Sequence, residues 1–477
     1  MTTKLTSLLL FLLTCTTLLS QGYKVTLQTP NYKSGLAYLT YYYGKTLNVK
    51  DSAIVNSSGT AVFHKATKLE PGIYSIVFPG KNKLFDFLVD KDQVITIKAD
   101  TTDLINKTSV SGSKENILFD EYQRFIAGRS KDLYAAQQAY SNSKTKKDSV
   151  EQLDKYSALN QELINYREGI ISKYPKSMLA VLFAAMKEPA VLMQHPKTKQ
   201  DSLNNYDYYK AHYWDGITFM DDRIIRTPFF VPKLERYFRE VLVQSPDTVI
   251  KESDYLLLFA RNNTEMYKFM INWFTDEYIS PRYMGQDAVF VHLFEKYHAP
   301  GVSTWLTKKQ LKTISDRAYM LMSNLVGLKA ADLKMVDTAG KPFPLYKVEA
   351  KYTLVAFWDP TCSHCKEQIP RLDSIYEAKW KKEGVKVYAV LSENEKAKWM
   401  DFIHEHKLTD WINVYQTEEI KKEEEKKQIA NYRQLYDVTQ TPTIYLLDKE
   451  KRIIAKKLTI QQIDDLLQMK IKNAAAK

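Results

Sequence analysis

Cysteine is nearly missing from this chain: there are three in 477 residues, Cys15, Cys362 and Cys365. A framework of several structural disulfides is therefore excluded, and a structural zinc site, which takes about four N or S ligands, finds no second cysteine pair. Glycine and proline are sparse as well, at 15 and 16, beside 44% hydrophobic and 26% charged residues. That balance excludes disorder on any large scale. No apolar run beyond the N-terminus approaches the roughly 20 residues of a membrane span, so the remainder is expected to be soluble. Nucleic acid is not an expected partner despite a net charge of +12, because the lysines are scattered among nearly as many acids and no nucleic-acid fold motif is present. The basic charge does leave room for association with an anionic envelope surface.

What is present begins with a leader-like segment. "MTTKLTSLLLFLLTCTTLLSQG" carries Lys4, an apolar stretch from Leu8 to Leu19 and the small residues Ser20 and Gly22. This layout predicts a signal peptide over 1–22 and export to the periplasm or cell envelope. The alternatives are an uncleaved membrane anchor or a lipid anchor on Cys15, for which Thr14 is larger than the usual preceding residue. Removal of the leader takes Cys15 with it and leaves Cys362 and Cys365 as the whole cysteine complement. A disulfide closing so short a loop removes little chain entropy, so a structural staple is a poor explanation for the pair.

A chain of this length predicts about three domains. Residues 23–112 read as short β-rich runs such as "YKVTLQTP", "GTAVFHKA" and "QVITIKAD" between turn residues, which predicts a small antiparallel sandwich. Residues 113–325 change to a helical period, opening with two long amphipathic helices joined through "NSKTKK" and followed by shorter ones. The aromatic stripes "YDYYKAHYWDG" and "MYKFMINWF" are expected to be packing core rather than a groove. From 326 to 477 strands alternate with helices, which predicts an α/β sheet covered by helices, with "EEIKKEEEKKQIANYRQLY" as a solvated helical insertion. The expected class is multidomain: β-sandwich, all-α region, then an α/β domain.

The chemistry concentrates in "FWDPTCSHCKEQIP", residues 357–370. A thiolate, not a thiol, attacks a disulfide, so a redox cysteine needs surroundings that favour its anion. A strand ending at Trp358 and the turn Asp359-Pro360-Thr361 place Cys362 where a helix begins, beside unpaired N–H groups and the positive dipole end. His364 adds a group able to donate to the thiolate or carry positive charge. Cys365, one turn on, is placed to attack a mixed disulfide on Cys362. Cys362 is thus expected to be the attacking thiolate and Cys365 the buried resolving thiol. No cofactor is required beyond the redox-active pair itself, and no metal is expected. A peroxidatic cysteine is disfavoured, since such enzymes usually carry Thr or Ser three residues earlier, where Asp359 stands. The histidines of "HEH" at 404–406, and His292 with His298, are expected to serve the surface or packing.

With these residues in hand, the C-terminal third resembles the exported thioredoxin-fold disulfide reductases of the TlpA/ResA type. "GLKAADLKMVDTAGKPFPLYKVEAKYTLVAFWDPTCSHCKEQIP" looks like their opening segment, and "YDVTQTPTIYLLDKEKRI" like their second active-site segment. The resemblance implies that Pro442, preceded by Thr441, is cis and that this loop faces the cysteines and aligns an extended client segment. It also implies a disulfide-bonded client protein and a membrane or periplasmic thiol electron donor. Two positions depart from the pattern: the aspartate thioredoxins bury six residues before the first cysteine is Ala356, and the acidic residue often found six after it is Gln368. Glu367 is adjacent but expected to point elsewhere, which leaves the proton acceptor for Cys365 open. The upstream segments look like accessory domains attached to exported thioredoxin-like proteins. Cys-x-His-Cys also occurs in DsbA, a strong oxidant, so a DsbA-like oxidase or isomerase is an alternative to a protein disulfide reductase. A scaffold or binding protein with a mainly structural thioredoxin-like domain is another.

Overall fold

The computed structural model describes residues 22–79, 83–104, 106–194, 196–393 and 395–475, without the side chains of 83, 84, 474 and 475. The leader expected over 1–22, with Cys15, lies outside the described residues except for Gly22. The chain divides into two compact units, Met1–Val241 and Leu242–Lys477, and the division falls inside the 113–325 stretch expected to be one helical region.

The described residues of the first unit open with eight strands: β1 (Tyr23–Gln28), β2 (Gly35–Tyr43), β3 (Thr46–Val55), β4 (Thr60–Lys65), β5 (Gly72–Val77), β6 (Lys83–Val89), β7 (Val94–Lys98) and β8 (Ser109–Ser111). They form two sheets, ordered β4-β1-β7-β8 and β3-β2-β5-β6. Alternation sends Tyr23, Val25 and Leu27 of β1 inward, where they meet Leu39, Phe63, Ile76, Phe87 and Ile97 in one core shared by both sheets. The sandwich is not wholly antiparallel, because β1 and β7 pair in parallel. The chain reaches β7 only after crossing to the other sheet for β5 and β6, so it returns in the direction of β1.

Among the described residues, five α-helices complete this unit: α1 (Lys114–Ser141), α2 (Lys146–Lys173), α3 (Met178–Met186), α4 (Lys199–Ala211) and α5 (Phe230–Arg236), the last running on into a π turn over Tyr237–Val241. Ser113 and Thr145 cap the two long helices through their hydroxyls, satisfying N–H groups that would otherwise be orphaned. Phe119 and Tyr122 of α1 pack with Met178, Leu182 and Phe183 of α3 against Ile73 and Leu88. Asn116 extends the β6 edge, donating to the Leu88 carbonyl (2.7 Å) and accepting from the Leu88 N–H (2.8 Å).

The second unit begins with α6 (Pro246–Ala260), α7 (Thr264–Tyr278), α8 (Asp287–Leu293), whose π turn covers Phe294–His298, and α9 (Lys308–Met322). The "MYKFMINWF" stripe is core here: Met266, Met270, Ile271 and Phe274 are fully buried. There follow β9 (Val336–Asp337), β10 (Tyr352–Trp358), α10 (Ser363–Ile375), β11 (Val385–Leu391), α11 (Lys396–Glu405), β12 (Ile412–Tyr415), α12 (Glu418–Lys426), α13 (Tyr432–Leu435), β13 (Thr443–Asp448), β14 (Ile453–Lys456) and α14 (Ile460–Ala475). They build one mixed sheet, ordered β14-β13-β10-β11-β12-β9, with β10, β11 and β12 parallel and β13 antiparallel to β10.

Every residue of β10 is buried, as a central strand covered on both faces requires. Leu354, Ala356 and Trp358 enter one core with Ile369, Trp399 and Leu467, while Val355 and Phe357 enter the other with Tyr388, Tyr436 and Tyr445. The sheet therefore presents the end of β10, fixed from both sides, to whatever follows Trp358.

Candidate active site

The chain leaves β10 through a tight turn. One Asp359 carboxylate oxygen accepts from the N–H and the hydroxyl of Thr361, both at 2.7 Å, and the Asp359 carbonyl accepts from the N–H of Cys362 (3.2 Å). Cys362 is the N-cap of α10, with extended backbone (φ −73°, ψ 127°), so its sulfur sits at the N–H end of the helix. Cys365 lies one turn further, fully buried among Ala356, Trp358 and Ile369, and its sulfur receives the Asp359 N–H at 3.5 Å. Both thiols are free.

Opposite them, the peptide between Thr441 and Pro442 is cis, and the Thr441 carbonyl accepts from the Cys362 thiol at 3.4 Å. Residues 79 apart in sequence thus meet because β10 and β13 are neighbours, with Phe357 opposite Thr443. Of the sequence-predicted site residues, the structure brings together Cys362, Cys365, Thr441 and Pro442; Trp358 lies in the core with Cys365, and Pro360 is buried. His364 is exposed on the first turn of α10 and contributes its backbone N–H to the Cys362 sulfur. Glu367 faces solvent and pairs with Arg371 (3.1 Å), and Gln368 is half-buried.

The two sulfurs are electrostatically unlike. At Cys362 burial works against ionisation, but hydrogen bonds from the Cys365 N–H, the Thr441 side chain, the Cys365 thiol and the His364 N–H outweigh it and hold the thiol below its ordinary value. Burial pushes Cys365 up to about 12. An accessible sulfur that ionises readily beside a buried one that stays protonated is an arrangement suited to thiol-disulfide exchange.

Sequence reading did not single out Asp359 as the turn-forming carboxylate, nor Asp437. Asp437 is 1% exposed and stands in the turn that leads to Thr441, its backbone left-handed at φ 46°. Burial works against its charge, but hydrogen bonds from Arg317 and Lys457 hold its carboxyl below the usual range. A lone aspartate among polar turn residues gives no sign in the sequence that it will be buried. Among the described residues no group of three or more His, Cys, Asp or Glu could hold a metal ion. Nor, among them, is any helix long and apolar enough to cross a membrane. His404 is exposed, His406 lies against the Phe402 ring, His292 pairs with Asp254 (3.0 Å) and His298 is buried.

Comparison with known proteins divides the chain in three. Residues 326–456 match the AhpC/TSA family, residues 23–119 a domain of unknown function (DUF4369) and residues 141–324 another (DUF5106). The thiol-disulfide oxidoreductase ResA of a Bacillus cereus strain is 23% identical over 146 residues, which are 30% of this chain and 77% of that protein. A crystallised domain of a "possible thiol-disulfide isomerase" from Cytophaga hutchinsonii is 37% identical, over 32% of this chain and 97% of that one, with a TM-score of 0.28. A thioredoxin-like protein from Bacteroides caccae is 22% identical over 59% of this chain and 98% of that one, with a TM-score of 0.45.

Proposed function

Starting from a chain whose C-terminal domain belongs to the thioredoxin-like AhpC/TSA family, and which is a thiol-disulfide oxidoreductase of the TlpA/ResA type, we propose that it is an exported reductase of protein disulfides. The observation that carries this reading is the contrast between the two sulfurs, Cys362 lowered and reachable, Cys365 raised and buried, across from the Thr441 carbonyl. The Cys362 thiolate attacks one sulfur of a client disulfide, forming a mixed disulfide and releasing the other client sulfur as thiolate. Cys365 then gives up its proton, through water, to the released client thiolate and attacks the Cys362 sulfur. The second client thiolate leaves, and Cys362-Cys365 is oxidised by two electrons while the client is reduced by two. A membrane or periplasmic dithiol donor restores the pair, and no cofactor enters. Export is read from the leader-like residues 1–22, and the charge of +12 supports association with an anionic envelope surface.

The test is direct. The wild-type protein reduces a protein disulfide, Cys362→Ser abolishes the reaction, and Cys365→Ser accumulates a client on Cys362 that dithiol releases. Equal rates for wild type and Cys362→Ser would sink the proposal. A reduction potential nearer about −120 mV than about −270 mV would turn it towards an oxidase.

A further inference from the structure

The loop that carries Thr441 and Pro442 is gripped from the helices that precede the sheet. Asp437 stands four residues before Thr441, and its carboxylate accepts from Arg317 Nη1 (2.6 Å) on one oxygen and from Lys457 Nζ (2.5 Å) on the other. Arg317 belongs to α9, and its Nε donates to the Ile279 carbonyl (3.2 Å), so the guanidinium ties the end of α7 to the loop. Lys457 in turn donates its backbone N–H to the Ile444 carbonyl (2.8 Å), two residues beyond Pro442. Just past α9, Asn324 donates to the Leu435 carbonyl (3.1 Å) and accepts from the buried Lys456 Nζ through its own carbonyl and Oδ1, both at 2.7 Å. Lys456 also pairs with Asp287 at the start of α8. Residues 435–437, which lead into the loop, and Lys456, beside Lys457, are therefore held by side chains from 287–324.

We infer that Arg317 is a positioning residue for thiol-disulfide exchange: through Asp437 it fixes the loop bearing Thr441 and Pro442, making α7–α9 part of the client-binding apparatus. The inference rests on the reductase reading above. A buried carboxylate keeps its place when its charge is matched, and Asp437, in a left-handed turn, has one cation on each oxygen. Without Arg317 the loop loses its tie to the end of α7 and keeps only the Asn324–Leu435 bond from the end of α9. A protein client, which must lie along the loop as well as meet Cys362, then suffers more than a small disulfide that meets Cys362 alone.

The experiment uses the full chain, reduced beforehand by a dithiol that is then removed, as wild type, Arg317→Ala, Arg317→Gln and Arg317→Lys, with insulin and neutral 2,2′-dithiodipyridine as substrates in a single turnover. The ratio of kcat/KM for insulin to that for dithiodipyridine falls about tenfold in Arg317→Ala, chiefly through KM for insulin, and Arg317→Lys restores most of it. Amide hydrogen exchange across residues 438–444 quickens in Arg317→Ala on the same scale. Arg317→Gln, which keeps hydrogen-bonding capacity without the charge, supplies the comparison if the alanine variant does not fold. An unchanged ratio together with unchanged exchange overturns the inference. A wild-type protein that does not reduce insulin overturns the reductase reading instead, and the exchange measurement still decides whether Arg317 positions the loop.

Discussion

Two thiols one helical turn apart differ here because one caps the helix and the other lies on its buried face. Cys362 receives N–H groups from the first turn of α10, while Cys365 is sealed among Ala356, Trp358 and Ile369. The thiolate fraction rises with pH, so a lowered pKa moves the rise in reactivity to lower pH. Alkylation of the reduced protein by iodoacetamide should therefore modify one thiol, Cys362, with a half-rise below the free-thiol value of about 8.5. Cys365 should resist until strongly alkaline pH, consistent with its value of about 12. Mass spectrometry of the alkylated peptide, pH by pH, checks both; a half-rise at or above the free-thiol value counts against the helix-end mechanism. Cys362, Cys365 and Pro442 were legible because each belongs to a short local pattern. The Arg317–Asp437 pair was not, since its members are 120 residues apart and only the packed structure brings them together.

Elements were legible where burial follows a simple period. β10 and β13 read as strands because nearly every residue is apolar, and α7 read as core through its stripe of Met and Phe. Strand β3, "TLNVKDSAIV", escaped because it lies at a sheet edge with mostly exposed or half-buried side chains, so no apolar alternation marks it. Helix α4, started by a capping box between Thr198 and Asp201, has no buried residue, so the stripe "YDYYKAHYWDG", whose first six residues it holds, is not the packing core expected: of that stripe only Tyr213 is buried.

The π turn after α8 shows what packing does to a residue whose type is uninformative. His298 is 1% exposed between the Thr275 and Ser303 hydroxyls, each at 2.8 Å. The Thr275 hydroxyl donates to the Ile271 carbonyl (2.7 Å), so His298 Nε2 donates to Thr275 and Nδ1 accepts from Ser303. Burial holds the imidazole down to about 4. Between pH 6.5 and 4 the unfolded chain binds a proton that the folded one refuses, so stability falls across that window as pH drops. The loss at pH 4 should be roughly 3 kcal/mol in the wild type. His298→Asn should lack this component of the pH dependence. Urea denaturation of both proteins from pH 7 to 4 measures the difference, and parallel pH profiles would contradict it.

At the scale of the whole molecule, the family boundary near 325 and the physical boundary at 241/242 do not coincide. Sequence similarity records where units were joined, whereas compactness records where polar and apolar groups complete one another. Residues 242–325 lie on the far side of the family boundary, yet they supply Asp287 of α8, Arg317 of α9 and Asn324 just beyond it to Lys456 and Asp437 of the sheet domain. A fragment of residues 326–477 would expose these groups without their partners, whereas residues 242–477 would keep them. Hydrogen bonds to charged groups are worth about 1.5–3 kcal/mol each, and water replaces part of that loss. The shorter fragment should therefore be less stable than the longer by on the order of 3 kcal/mol. Residues 242–477 should unfold in one cooperative transition. Equal midpoints and equal slopes for the two fragments in urea would show that the helices are an independent attachment. A lower midpoint for 326–477, with a steeper slope for 242–477 from its larger buried area, would show that the catalytic domain extends well upstream of its recognisable sequence.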